Sequence, residues 1–377
     1  MDIQVDRISF SSISGISVGN AQNEEAGTGV TVFRLTTPGR AAVEVFGGGP
    51  ASRETETIAP ERNHPLNALV FSGGSAYGLA AADGVMRCLE AHGVGYDTGI
   101  ALVPIVCQSC IYDLGFGSAT VRPDAAMGLA ACEASFQKND PRSGNVGAGT
   151  GATVGKAAGM QQAQKAGIGY AALKMGKLQI GIAVVLNSLG DIFENGRKIA
   201  GMLAPDGKGF ADSYQALLQI TGSNLFTSTT NTTLAAVFTN GDFTPAELKH
   251  LARMAAAGMA RAIQPAFSTA DGDTIYAISV GPEADRVSAS LDAAGALAAT
   301  LLEEAIADAV HSAHGGSQTQ DPFIIEAPSK EEVVEKGKAA FDEIKAKALR
   351  GELPDLTLEE INEEIRKTRE GNKGTMP

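Results

Sequence analysis

Two apolar runs, Leu178 to Leu186 and Thr233 to Thr239, restrict this chain to few folds, because neither contains a charged residue and each has the length of one strand. Strands of that kind need cover on both faces, which an open sheet with a solvated side does not give. Tyr170 to Leu173 is a third, shorter candidate. Gly29 to Leu35 and Ala41 to Phe46 read as paired strands joined through a Pro/Gly turn at Thr36 to Arg40. Helical patterns alternate with them. Leu79 to His92 brings Leu79, Val85, Met86 and Leu89 roughly onto one face. Thr244-Pro245-Ala246-Glu247 joins a capping threonine, a proline at the first helical position and a reciprocal glutamate, and opens a helix to about Ile263. Val287 to Val310 is a further alanine-rich helix. Strands followed by helices in both halves predict an α/β fold with helices packed on sheets.

The apolar share of 44%, with 45 glycines and no tryptophan, predicts tight turns and close backbone packing rather than disorder. Residues 1–329 read as one core. A net charge of −13 argues against a nucleic-acid partner. The longest strongly apolar run, Ile180 to Leu186, is far short of the roughly 20 residues a bilayer requires, so no membrane association is expected. Met1 to Arg7 lacks a basic stretch followed by an apolar one, and a cytoplasmic location is expected. Four cysteines in a chain of this length are no disulfide scaffold. Cys107-Gln108-Ser109-Cys110 has redox or metal-clip spacing, but its apolar flanks favour buried thiols.

Beyond His314 the character changes. Residues 315–328 read as a linker, and 330–377 carry 22 charged residues in 48. Ser329 with Glu332 and Thr357 with Glu360 form capping boxes for two helices ending near Gly351 and Gly371. Their narrow apolar stripes, Val334, Phe341, Ile344 and Ala348, then Leu358, Ile361 and Ile365, need a partner: the core, another subunit or another protein. Nothing in this tail is suited to chemistry, and a fused segment is one account of it.

The chemistry is concentrated at Thr227-Ser228-Thr229-Thr230-Asn231-Thr232-Thr233. A hydroxyl on the C-terminal side of a peptide bond can attack the preceding carbonyl, turn the amide into an ester and let water split the chain. A threonine so released carries an α-amine of pKa about 7.7–8.0 beside its own hydroxyl, which is the N-terminal-threonine form of nucleophilic catalysis. The same run also fits the plain start of a strand. Other schemes fare worse. Gly73-Gly74-Ser75-Ala76-Tyr77 misses the G-x-S-x-G elbow through Tyr77, leaving Ser75 a weak rival nucleophile. Lys156 lacks the glycine and hydroxyl that a phosphate loop requires, since Thr150 and Ala157 stand there. Of five histidines only His311 and His314 are close in sequence, and no H-E-x-x-H occurs, so neither metal nor cofactor is expected.

Several longer motifs reinforce the threonine reading: Gly15-Ile16-Ser17-Val18-Gly19-Asn20, Asn67 to Leu79, Arg122-Pro123-Asp124-Ala125, Gly144 to Thr153, Asn231-Thr232-Thr233 and Asp271-Gly272-Asp273-Thr274. On these, over residues 10 to about 312, the chain resembles the P1 family of peptidases, which includes L-aminopeptidase/D-esterases of the DmpA type, β-peptidyl aminopeptidases and 6-aminohexanoate-oligomer endohydrolases. The resemblance implies a four-layer αββα sandwich of N-terminal-nucleophile type over residues 1–314. It further implies self-cleavage between Asn231 and Thr232 at the start of a central strand. Asp271 and Asp273 are then expected to approach the processed Thr232 and pass protons, although their pattern also suits a carboxylate-rich turn. Other members carry serine and glutamate there, and Asp-Gly-Asp looks more like the nylon-oligomer branch. Asn187, ending an apolar strand, is expected to donate to the oxyanion, and Lys156 to place an ammonium near the nucleophile. Their bland readings are a turn residue and a surface lysine. Tyr77 and Ser75 are candidates for the substrate pocket. The family implies a homo-oligomer, commonly a tetramer, with small peptides, β-amino acid peptides or 6-aminohexanoate oligomers as substrates. A non-catalytic binding or assembly protein on the same fold is the reading from another class.

Overall fold

A computed structural model of the chain describes residues 4–62, 64–219 and 231–315, with Lys338 and Asp342. The chain divides into two compact units, Met1–Ile325 and Glu326–Pro377, and the elements below belong to the first. The expected linker beyond Gly315, both tail helices and the hydroxyl run up to Thr230 lie outside the described residues.

Ten strands carry the fold: β1 (Val5–Arg7), β2 (Ile16–Asn23), β3 (Thr28–Val45), β4 (Ala51–Arg53), β5 (Leu66–Ser72), β6 (Val106–Cys110), β7 (Ile168–Met175), β8 (Leu178–Asn187), β9 (Thr232–Thr239) and β10 (Thr274–Ser279). Their order is β1-β7-β8-β9-β10-β3-β5-β6-β4, with β2 also paired to β3. The larger helices are α1 (Ala81–Ala91), α2 (Ala125–Gln137), α3 (Pro245–Ala262) and α4 (Leu291–Ala313).

The hinge of this arrangement is β3, which corrects the expected hairpin. Gly29 to Leu35 and Ala41 to Phe46 do not pair with each other. They are two halves of one 18-residue strand whose register shifts between Arg34 and Gly39. The first half pairs with β2 and β5, and the second pairs with β10. Pro38 and Gly39 therefore mark a bend within a strand, a position where both residues are tolerated, rather than a turn that reverses it. Bending lets one strand serve two sheets.

Three apolar clusters fill the three spaces between four layers. Phe33, Phe71, Phe238 and Tyr276 pack between the sheets, with Phe33 5.2 Å from Phe238 and 5.4 Å from Phe71 between ring centroids. Val30, Val32 and Val70 meet α1 and α2 on one outer face. Ile182, Val184 and Val237 meet α3 and α4 on the other. Alternation along β9 shows why its sequence is apolar throughout. Leu234, Ala236 and Phe238 point to the inter-sheet space, and Ala235 and Val237 point to the helices. The αββα sandwich is thus the architecture of this chain.

The helix starts follow local chemistry. Thr244 and Glu247 form the reciprocal capping box, with Pro245 first in α3. The alanine-rich helix α4 begins at Leu291 behind the Ser290 cap rather than at Val287. Val287 is held by backbone pairing: its N–H donates to Asn240 O at 2.9 Å, and its carbonyl accepts from Asp242 N–H at 2.9 Å. Cys107 and Cys110 both lie on β6, three residues apart and so on opposite faces. Neither a shared metal nor a mutual disulfide fits that placement. Both are free and buried, and burial pushes each thiol up to about 12. Among the described residues no helix is long and apolar enough to cross a membrane.

Candidate active site

Strand direction gathers the candidate residues at the same end of three adjacent interior strands. β8 runs antiparallel to β9, with Asn187 opposite Thr232. β10 runs parallel to β9, with Leu234 opposite Thr274. The end of β8, the start of β9 and the loop entering β10 therefore coincide, and Asn231 bridges to Asp271. Sequence distances of 45 and 84 residues separate Thr232 from Asn187 and Asp271 from Asn187, so register alone joins them.

The Thr232 hydroxyl donates to the carbonyl of Asn231, on the peptide bond just before it. That carbonyl also accepts from the Gly272 N–H at 2.8 Å. Gly272 is pressed against Thr232, because a Cβ added there would lie 2.7 Å from Thr232 Oγ1 and 2.9 Å from Gly49 O. The two aspartates are aimed by backbone donors. Asp273 accepts from Thr233 N–H at 2.6 Å and from Phe267 N–H at 3.1 Å. Asp271 accepts from Ser268 N–H at 2.9 Å through Oδ2, and its Oδ1 is buried without a hydrogen-bond partner. Gly47 and Gly49, following β3, donate their N–H groups to Asp273 O at 3.2 Å and Asp271 O at 2.9 Å and brace the turn.

Lys156 is fully buried rather than a surface lysine. Its Nζ donates to Asn187 Oδ1 at 2.8 Å and to Asn187 O at 3.0 Å. Asn187 Oδ1 also accepts from Thr153 N–H at 3.1 Å, which fixes the amide orientation, since both donors require an oxygen. The Asn187 Nδ2 donates to Tyr112 O at 3.0 Å. One N–H of that amide remains for another acceptor.

Burial dominates the electrostatics. It brings Lys156 down to about 7, with Asp271, Asp113 and Asp273 partly holding the proton on. It raises Asp273, which Asp271 raises further, and it raises Asp271, which Ser268 and Lys156 pull back. Two carboxyls pushed up and an amine pushed down by burial are groups of the kind that can take and return a proton during an acyl transfer.

Asp113 is the member that sequence reading missed. Its carboxylate accepts from Gly74 N–H and Thr28 Oγ1, each at 2.7 Å, and burial raises its pKa. It stands in a loop after β6 with no motif spacing to the others. Ser75 and Tyr77 lie in the neighbouring short 3-10 helix, Ser75–Ala80. Ser75, at φ 53°, donates its N–H to Ile111 O at 2.9 Å. Tyr77 is 61% exposed beneath the Arg122 guanidinium, 3.7 Å from the ring centroid. The structure thus brings together Thr232, Asn231, Asn187, Lys156, Asp271 and Asp273, and places Ser75 and Tyr77 between β5 and α1, beside the loop after β6 that carries Ile111 and Asp113.

Comparison with known proteins defines the class. The β-aminopeptidase from Burkholderia sp. superposes with a TM-score of 0.56 at 21% identity, over 80% of this chain and 85% of that one. The L-aminopeptidase D-Ala-esterase/amidase from Ochrobactrum anthropi, described as a new variant among the Ntn hydrolase fold, gives 0.57 at 19% over the same shares. An uncharacterized aminopeptidase of Mycobacterium leprae (strain TN) is 36% identical over 293 residues, 72% of this chain and 78% of its own. A 6-aminohexanoate-oligomer endohydrolase of Kocuria sp. (strain KY2) is 31% identical over 318 residues, 78% of this chain and 84% of its own. The fold is that of the DmpA-type N-terminal-nucleophile hydrolases, and the protein is an amide-bond hydrolase. Residues 9–321 match peptidase family S58, and the chain belongs to that family. It is the family the motifs anticipated.

Proposed function

We propose that the chain is a precursor that cuts itself between Asn231 and Thr232, and that the freed Thr232 is the nucleophile of a small-amide hydrolase. One observation carries the reading: the carbonyl to be attacked lies between the attacking hydroxyl and the Gly272 N–H, inside a shell of Asp271, Asp273 and Lys156. In the first reaction Thr232 Oγ bonds to the Asn231 carbonyl carbon, giving its proton to the buried acid–base group. The C–N bond breaks as nitrogen takes a proton and becomes the α-amine. Water then hydrolyses the ester and releases the Asn231 carboxylate.

In the second reaction the α-amine takes the hydroxyl proton as Oγ attacks the substrate amide. The Gly272 N–H and the remaining Asn187 N–H are the donors for the oxyanion, each worth roughly 3–4 kcal/mol. The leaving amine takes the proton back, and water releases the acyl group from Thr232. Substrates are linear 6-aminohexanoate oligomers or small peptides. The Asp-Gly-Asp pattern and the endohydrolase relative favour the oligomers, and the aminopeptidase relative supports peptides with a free N-terminus. A homo-oligomer, a tetramer by family likeness, and a cytoplasmic location complete the proposal. Four unpaired cysteines suit a reducing compartment.

The test is the intact mass of the denatured protein with the N-terminal sequence of any fragment. Two pieces, the smaller starting Thr-Thr-Leu-Ala, support self-processing. A chain that stays whole on incubation removes the proposed base and leaves the binding-only reading.

A further inference from the structure

We propose that Cys88, His92 and Glu133 form a binding site for a zinc-class divalent cation on the outer helical layer, in a structural role separate from hydrolysis. One ligand atom from each residue lies within 4.8 Å of those of the other two. Thiolate, imidazole and carboxylate together are a donor set that selects zinc over magnesium or calcium. Bonds of about 2.0–2.3 Å in a tetrahedral site put ligand atoms about 3.3–3.8 Å apart. His92 Nε2 stands 3.6 Å from Glu133 Oε2, inside that range, and the Cys88 sulfur has at most about 1 Å to close, since the candidate ligand atoms all lie within 4.8 Å of one another. Small side-chain rotations close the site.

The surroundings hold the ligands for the task. Cys88 and His92 are four residues apart at the end of α1, so both face α2. His92 Nδ1 meets Cys88 O at 2.9 Å, and because a carbonyl only accepts, Nδ1 carries the proton. Nε2 then offers its lone pair on the side of Glu133. A ring nitrogen anchored on a backbone carbonyl while the other coordinates is the usual outer support of a metal-bound histidine. The ring plane is fixed too: His92 stacks on Phe136 at 3.8 Å and 11°, and Arg34 covers Phe136 at 4.0 Å. Since His92 fills one face of Phe136, Arg34 occupies the other.

The charges facing the cluster are those of Glu133 and Arg34. The Cys132 thiol lies beside Cys88, and with burial and Glu133 it raises the Cys88 thiol above its ordinary value. Arg34 interacts favourably with the thiolate forms of Cys132 and Cys88. The cation has to take the place of the Cys88 proton, which leaves to solvent as the S–metal bond forms. His92 and Glu133 are 34% and 39% exposed at their side chains, which gives the ion a way in. The spacing hid this in the sequence, because Glu133 comes from a second helix.

The test is a zinc titration of the full-length, metal-free protein against a chromophoric chelator, with cobalt as a spectroscopic probe. The expected result is one equivalent bound, a raised melting temperature, and a thiolate-to-cobalt charge-transfer band. Cys88→Ser should abolish the band, and His92→Gln or Glu133→Gln should weaken zinc binding by more than about 10-fold. His92 sits at a helix end, so its variant reports even if Cys88→Ser folds poorly. No stoichiometric binding, or full affinity retained in His92→Gln, overturns the site. Hydrolysis should be unchanged in these variants.

Discussion

At the residue scale the candidate site is built from one backbone amide and five side chains. Thr232→Ala is expected to give an uncut chain without hydrolytic activity, seen by intact mass and a colorimetric amide assay. Thr232→Ser, keeping the hydroxyl, should retain partial processing. Gly272→Ala is the sharper probe, since the added Cβ falls 2.7 Å from Thr232 Oγ1. Moving the hydroxyl by such a contact should slow self-cleavage by about 100-fold, read as fragment appearance over time, with the fold intact by circular dichroism. Thr232, Asp271, Asp273, Asn187 and Lys156 were legible because each sits in a motif or ends an apolar strand. Gly272 was visible only as the spacer between two carboxylates. Its N–H matters through the register of β9 against β10, which no spacing discloses. Asp113 was invisible for the same reason.

At the scale of elements, close approach of backbones holds the outer layers. Gly128 on α2 faces α1 so closely that a Cβ would stand 2.0 Å from Ala81 O. Gly128→Ala should cost about 1–3 kcal/mol by overpacking, measured by urea unfolding. Lys165 plays a comparable part for the glycine-rich run: its buried ammonium donates to the carbonyls of Gly149 and Ala152 at 3.1 and 2.9 Å, and to that of Ala166. Burial brings its pKa down to about 7, with Asp113 opposing. Between about 7 and the ordinary lysine value of 10.5 the unfolded chain holds more protons than the folded one, so stability gains from Lys165 as pH rises. Lys165→Met should remove that part of the rise, measured by urea midpoints at pH 7 and 10. The same scale shows the limit of pattern reading. β8 and β9 declare themselves by unbroken apolarity, whereas β3 reads as a hairpin in the sequence because Pro38 and Gly39 mark a bend as readily as a reversal.

At the scale of the whole molecule, the proposed cut does not divide the fold. Cleavage before Thr232 yields 231 and 146 residues, but β9 and β10 of the second piece lie between β8 and β3 of the first. The fragments should therefore co-migrate under native conditions, at the mass of a tetramer in the proposed assembly, and part only in denaturant. Native mass measurement beside a denaturing gel checks both. Thr232, Asn187, Lys156, Asp271 and Asp273 are each no more than 4% exposed in the uncut chain. The Asn231 carbonyl meanwhile occupies the Gly272 N–H that an incoming amide would need. Under the proposed self-cleavage, a newly made molecule would be its own first customer and a dormant zymogen: activity should emerge after a lag set by a unimolecular clock, the same at any protein concentration.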